Sequence, residues 1–120
     1  MMSLYSQILI ILVALEFFYI LYLETLATAS KQTSKVFNLS QEELKRDSVN
    51  TLLKNQGVYN GLIAVGLLYG AFLSSAPVLI SRMLLIYILL VAAYGSVSSD
   101  KKIIFTQGGL AALALLSTFL

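Results

Sequence analysis

The chain has 120 residues, 58% of them apolar and only 12% charged, with a net charge of +2, one proline and no cysteine or histidine. A soluble domain carries about a quarter charged residues, so this composition points to a membrane, and its apolar content excludes disorder. The missing Cys and His exclude a disulfide framework, a thiolate nucleophile, structural zinc, His-ligated haem and a catalytic imidazole, and the small scattered charge excludes a nucleic-acid footprint.

Four segments approach the roughly 20 apolar residues that a membrane-crossing helix needs: about 4–25, 49–73, 76–97 and 103–120. Residues 55–81 and 103–120 hold no charged side chain. Apolarity all round, rather than along one stripe, separates a lipid-bathed helix from a surface helix. The expected fold is therefore all-α, a single polytopic domain built as a four-transmembrane-helix bundle over residues 1–120. The first segment reads as a retained span rather than a cleaved signal. Its Met1–Gln7 start lacks a basic region, and Glu16 and Glu24 interrupt the apolar run ahead of Ala27-Thr28-Ala29.

The long connection after the first span holds Ser40-Gln41-Glu42-Glu43, a capping box in which the Ser hydroxyl accepts from the Glu43 N–H and the carboxylate reaches back. Helix two is expected to start there, near residue 41, and to run unbroken into the bilayer. Residues 31–39 are left as a short cytoplasmic interfacial segment, with Val36, Phe37 and Leu39 toward the acyl boundary, or equally as a solvated surface turn. Pro77 suits a first helical turn, where its missing N–H costs nothing, and Ser98-Ser99-Asp100-Lys101 is expected to cap helix four.

Seven of the eight basic residues flank the first and third connections (Lys31, Lys35, Lys45, Arg46, Lys54, Lys101 and Lys102), and only Arg82 stands apart. Basic loops stay cytoplasmic. The expected location is the plasma membrane, with both termini outside, connections one and three inside, and Arg82 as a snorkelling anchor or, alternatively, a partner of Glu16.

Polar residues inside a span are expensive and often mark function. Glu16 lies about 18 Å along the helix from Leu4 at 1.5 Å per residue, near the midplane. Glu24 lies two turns on, and side chains tilt toward the amino end of a helix, which carries it back into the protein. Tyr19 shares the Glu16 face. On helix two, Gln56, Tyr59, Asn60 and Ile63 share a face by helical spacing, with Asn60 approaching the depth of Glu16. Tyr94 and Gln107 approach from helices three and four. The expected binding cluster is Glu16, Tyr19, Glu24, Gln56, Tyr59, Asn60, Tyr94 and Gln107. The competing reading is that these amides and phenols are ordinary interhelical glue. Gly57-x-x-x-Gly61, Gly66-x-x-x-Gly70 and Gly108-x-x-x-Ala112 would let backbones approach closely, one glycine face serving the bundle and another a homo-oligomer.

These strings carry a resemblance. Leu15-Glu16-x-x-Tyr19-x-x-Tyr22-Leu23-Glu24, Val36-Phe37-x-Leu39-Ser40, Asn55-Gln56-Gly57-x-Tyr59-Asn60-Gly61, Tyr94-Gly95 and Gln107-Gly108 resemble the small membrane proteins of domain-of-unknown-function family 1304. The resemblance implies a four-span bundle in a membrane and no established reaction. Phe17 and Leu110 stand where related sequences often have His and Pro, which argues against a metal beside Glu16 and implies a straighter helix four.

The favoured function is binding or transport of a small solute or lipophile at the polar site around Glu16, without enzymatic chemistry, metal or cofactor. The partners are the lipid bilayer, a small lipophilic or cationic ligand and a second copy of the chain. The alternatives are an isomerase-like intramembrane enzyme on a lipid or isoprenoid, with a Glu and a Tyr moving protons, and a scaffold that recruits a partner through its 40–54 helix.

Overall fold

The computed structural model describes residues 2–120, and among them every regular element is helical. In chain order these are α1 (Leu4–Leu21), continued by a π-helical turn (Tyr22–Leu26), α2 (Lys31–Phe37), α3 (Gln41–Lys45), α4 (Asp47–Phe72), α5 (Pro77–Ser98), α6 (Ile103–Thr106) and α7 (Gly109–Ser117). Two helices are long and apolar enough to cross a membrane, Leu4–Leu26 and Pro77–Ser98, each with a mean hydropathy of 2.1 in its best window. The chain divides into two compact units, Leu15–Ala64 and a second made of the stretch up to Ala14 with Val65–Leu120.

In the Leu15–Ala64 unit, Phe17, Ile20, Leu23, Leu44 and Ala64 are buried. The π turn closes on an Ala27 N–H to Tyr22 carbonyl bond of 2.8 Å. A π turn holds one residue more than an α turn and leaves neighbouring carbonyls without intrahelical donors. Threonines supply them: Thr28 Oγ1 donates to the Glu24 carbonyl at 2.7 Å, and Thr33 Oγ1 lies 3.0 and 2.7 Å from the carbonyls of Leu23 and Ala27. This pins α2 against the end of the first helix. Ser30 caps α2 through the Thr33 N–H, and Asn38 ends it at φ 56°, a left-handed conformation that Asn tolerates better than most residues.

The capping-box expectation holds in one arm. Ser40 Oγ accepts from the Glu43 N–H at 3.1 Å, but the Glu43 carboxylate turns to Arg46 at 3.0 Å instead of reaching back. Arg46 is extended (ψ 135°), so α3 stops there and α4 begins at Asp47. Helix two therefore does not run unbroken from residue 41.

In the other unit, α5 buries Ser81, Leu85, Ile88 and Ala92, a single stripe at helical spacing. Ala111 and Ala114 form the buried face of α7. Gly66 and Gly70 bring α4 against Leu84 and Ile80 of α5. Pro77 occupies the first turn of α5 as expected. At the third connection the expected cap is made by Asp100, whose Oδ1 accepts from the Lys102 N–H at 3.0 Å just ahead of α6. Ser96 Oγ, still on α5, accepts from the Ile104 N–H at 2.6 Å as well. The expected straight fourth helix is broken at Gln107-Gly108, between α6 and α7. Two adjacent glycines weaken a helix there without any proline. Arg82 is not a free anchor. Its guanidinium donates to Thr118 Oγ1 at 3.0 Å and the Thr118 carbonyl at 2.8 Å, and lies 3.8 Å from the Phe119 ring centroid.

Candidate functional site

The Leu15–Ala64 unit sets its helix register with small residues. A Cβ added at Gly57 would run into Thr25 Oγ1 and come within 3.1 Å of Glu24 Cβ, and one at Gly61 would meet the Leu21 side chain at 2.8 Å. The Thr25 hydroxyl in turn donates to the Lys54 carbonyl at 2.8 Å. Antiparallel helices held this closely place Glu24 opposite the interval between Gln56 and Asn60. Both amides use it: Gln56 Nε2 donates to Glu24 Oε2 at 2.5 Å and Asn60 Nδ2 to Oε1 at 2.6 Å. Glu24 is fully buried. Two donors, one on each oxygen, satisfy a carboxylate that solvent does not reach.

Asn60 thus pairs with Glu24 rather than with Glu16, whose depth it is expected to approach. The close approach at Gly57 and Gly61 fixes that pairing, and helical spacing within one helix carries no information about it. Tyr59 is 71% exposed and lies outside the three-residue centre.

Glu16 is the opposite case. It is partly buried, and its Oε1 is shielded from solvent with no hydrogen-bond partner among the described residues. One turn on, Tyr19 stacks with Tyr22 at 6.4 Å between ring centroids, and its hydroxyl accepts from Gln32 Nε2 of α2 at 3.2 Å. Tyr94 (exposed on α5) and Gln107 (at the α6–α7 break) belong to the other unit. The described residues contain no group of three or more acids that could hold a metal.

The sequence reading missed Thr25, Thr28 and Thr33. Their signal was available in outline, since three threonines within ten residues of an acid in an apolar helix have hydroxyls free to meet carbonyls. It lacked the π turn that makes those carbonyls free. The glycine faces also resolve differently from expectation. Gly57 and Gly61 pack on the first helix and Gly66 and Gly70 on α5, so both pairs are occupied within the chain rather than one being spare for a second copy.

The model of a family described as "Protein of unknown function (DUF1304)" matches residues 11–119. An uncharacterized protein of Lactococcus lactis subsp. lactis, YpaA, is 66% identical over 118 residues, covering 98% of this chain and 99% of that one. No solved structure matches.

Proposed function

This chain belongs to the DUF1304 family, to which no reaction is attached, and from its own residues we propose an integral membrane protein that binds a small lipophilic cation at Glu16. The membrane part is supported by what α5 leaves uncovered. Only 22% of its most apolar window is buried, and Leu79, Met83, Ile86, Leu90 and Val97 are all exposed. A core helix of a soluble protein would hide them, and exposed apolar area on this scale marks contact with lipid or a partner. α4, at 26 residues, is about 39 Å long at 1.5 Å per residue, enough for a bilayer core. With α6–α7 as an interrupted fourth crossing, the bundle has four spans. The basic residues of the first and third connections then lie on the cytoplasmic side, and both termini lie outside. The absence of native cysteine makes single-cysteine labelling a clean test. Ser34→Cys should be protected from an impermeant reagent in intact cells and Ser75→Cys should be labelled, and the reverse pattern inverts the topology.

The functional part is carried by the unpartnered Glu16 Oε1. Glu24 is satisfied within the protein, as structural glue is, whereas a shielded carboxylate oxygen without a donor, midway along an apolar helix, can take up a ligand. A cation on an apolar body suits it, the charge facing the carboxylate and the body facing lipid. Titration of the purified protein in micelles with tetraphenylphosphonium tests this. Saturable binding that weakens about tenfold or more in Glu16→Gln and persists in Tyr59→Phe is expected. Equal binding by wild type and Glu16→Gln would overturn it.

A further inference from the structure

α2 is seated at a distinctive height. It does not hang free of the first helix: Thr33 is tied to the Leu23 and Ala27 carbonyls, Gln32 reaches back to the Tyr19 hydroxyl, and Gln41 Nε2 holds the Ala29 carbonyl at 2.9 Å. The helix therefore lies along the last turns of a 23-residue apolar helix, where a bilayer passes from acyl chains to phosphates. Its buried side is Thr33, with Phe37 one turn on. Its other side presents Lys31 and Lys35, one turn apart, beside Val36, which is 48% exposed. α2 contains no acid, and among the described residues neither lysine takes part in an ion pair, the single such pair being Arg46–Glu43. Leu26, 75% exposed just before α2, and Leu39, 39% exposed just after it, extend the apolar margin.

We infer that the outward face of α2 is a seat for an anionic phospholipid, its headgroup phosphate between Lys31 and Lys35 and its upper acyl chain along Val36 and Leu26. Charge complementarity chooses the occupant. Two unpaired ammonium groups at headgroup depth attract a net negative lipid, while a zwitterionic headgroup offers a phosphate offset by its own cation. Lysine stems suit the position because they cross apolar surface and deliver the charge at the interface. The seat rests on the membrane reading above but not on the Glu16 ligand, and it uses none of the Glu24 centre.

Native mass spectrometry of the full chain, released from micelles with equimolar phosphatidylglycerol and phosphatidylcholine, tests it. The wild type should retain phosphatidylglycerol preferentially. Lys31→Gln/Lys35→Gln should lower that preference about tenfold, given the attraction each lysine feels near an anionic surface. Lys101→Gln/Lys102→Gln should keep most of it. Equal retention of the two lipids by the wild type, an unchanged preference in the α2 variant, or an equal loss in the control variant would each overturn the seat. Recovery of the protein in detergent-free buffer would remove the membrane reading and the seat together. A micelle-held protein without the preference overturns the seat alone.

Discussion

Glu16 and Glu24 stand eight residues apart on the same apolar helix and meet opposite surroundings. Glu24 is fully buried with an amide donor on each oxygen. Glu16 keeps one shielded oxygen that finds no donor among the described residues. Residue type cannot separate them, and neither can hydropathy. The difference comes from what each is held against. Glu24 sits in a π turn whose carbonyls are taken by threonines, facing a stretch of α4 where Gly57 permits contact close enough for both amides to reach. A carboxylate treated in that way is part of the architecture, and the one left without a donor is the one proposed above to meet a ligand. Substitutions at the two positions should therefore differ in sign as well as in size.

The largest effect is expected at the satisfied acid. Glu24→Leu leaves the exposed Gln56 and half-buried Asn60 amides aimed at an apolar side chain, and losing hydrogen bonds to a charged group costs about 1.5–3 kcal/mol. Thermal unfolding in micelles should show a large drop in midpoint, and Glu24→Gln a smaller one because it can still accept one amide. Next comes the approach that creates the centre. Gly57→Ala drives a methyl into Thr25 Oγ1, which its bond to the Lys54 carbonyl holds in place, for about 1–3 kcal/mol of overpacking. Gly61→Ala meets the far end of Leu21, which can rotate aside, so its loss should stay below about 1 kcal/mol. Equal losses at the two glycines would show that the register does not depend on Gly57.

The sequence made the helical class legible because its apolar runs are long, and it marked Glu24, Gln56 and Asn60 because polar groups in such runs are rare. It could not show that the three meet. Helical spacing orders residues within one helix, whereas the offset between α1 and α4 depends on which small residue touches which neighbour. The capping box misled for a related reason. Ser40 fixes where α3 starts, but the extended backbone at Arg46 decides where it stops, and Arg46 offered Glu43 an ion pair in place of its expected backbone partner. At Gln107-Gly108 the missing proline implies a straight helix, but the adjacent Gly108 and Gly109 are enough to break it.

The smaller effects fall on the orphaned groups. Glu16→Leu removes a shielded acceptor that gains no internal hydrogen bond, so stability should hold or rise by up to about 1 kcal/mol, while tetraphenylphosphonium binding is lost. Ser81, on α5 of the other unit, calibrates that result. Its hydroxyl is fully buried and has no partner among the described residues, but it carries no charge, so Ser81→Ala should shift unfolding by no more than about 0.5 kcal/mol and leave cation binding intact. A marked loss of stability in Ser81→Ala would show that shielded orphans in this fold have partners such as ordered water. Glu16 would then be satisfied in the same way, and its oxygen would not be held open for a ligand. Two near-silent changes in stability, with binding abolished in one alone, would tie the cation to the carboxylate and not to the mere presence of an unpaired polar group.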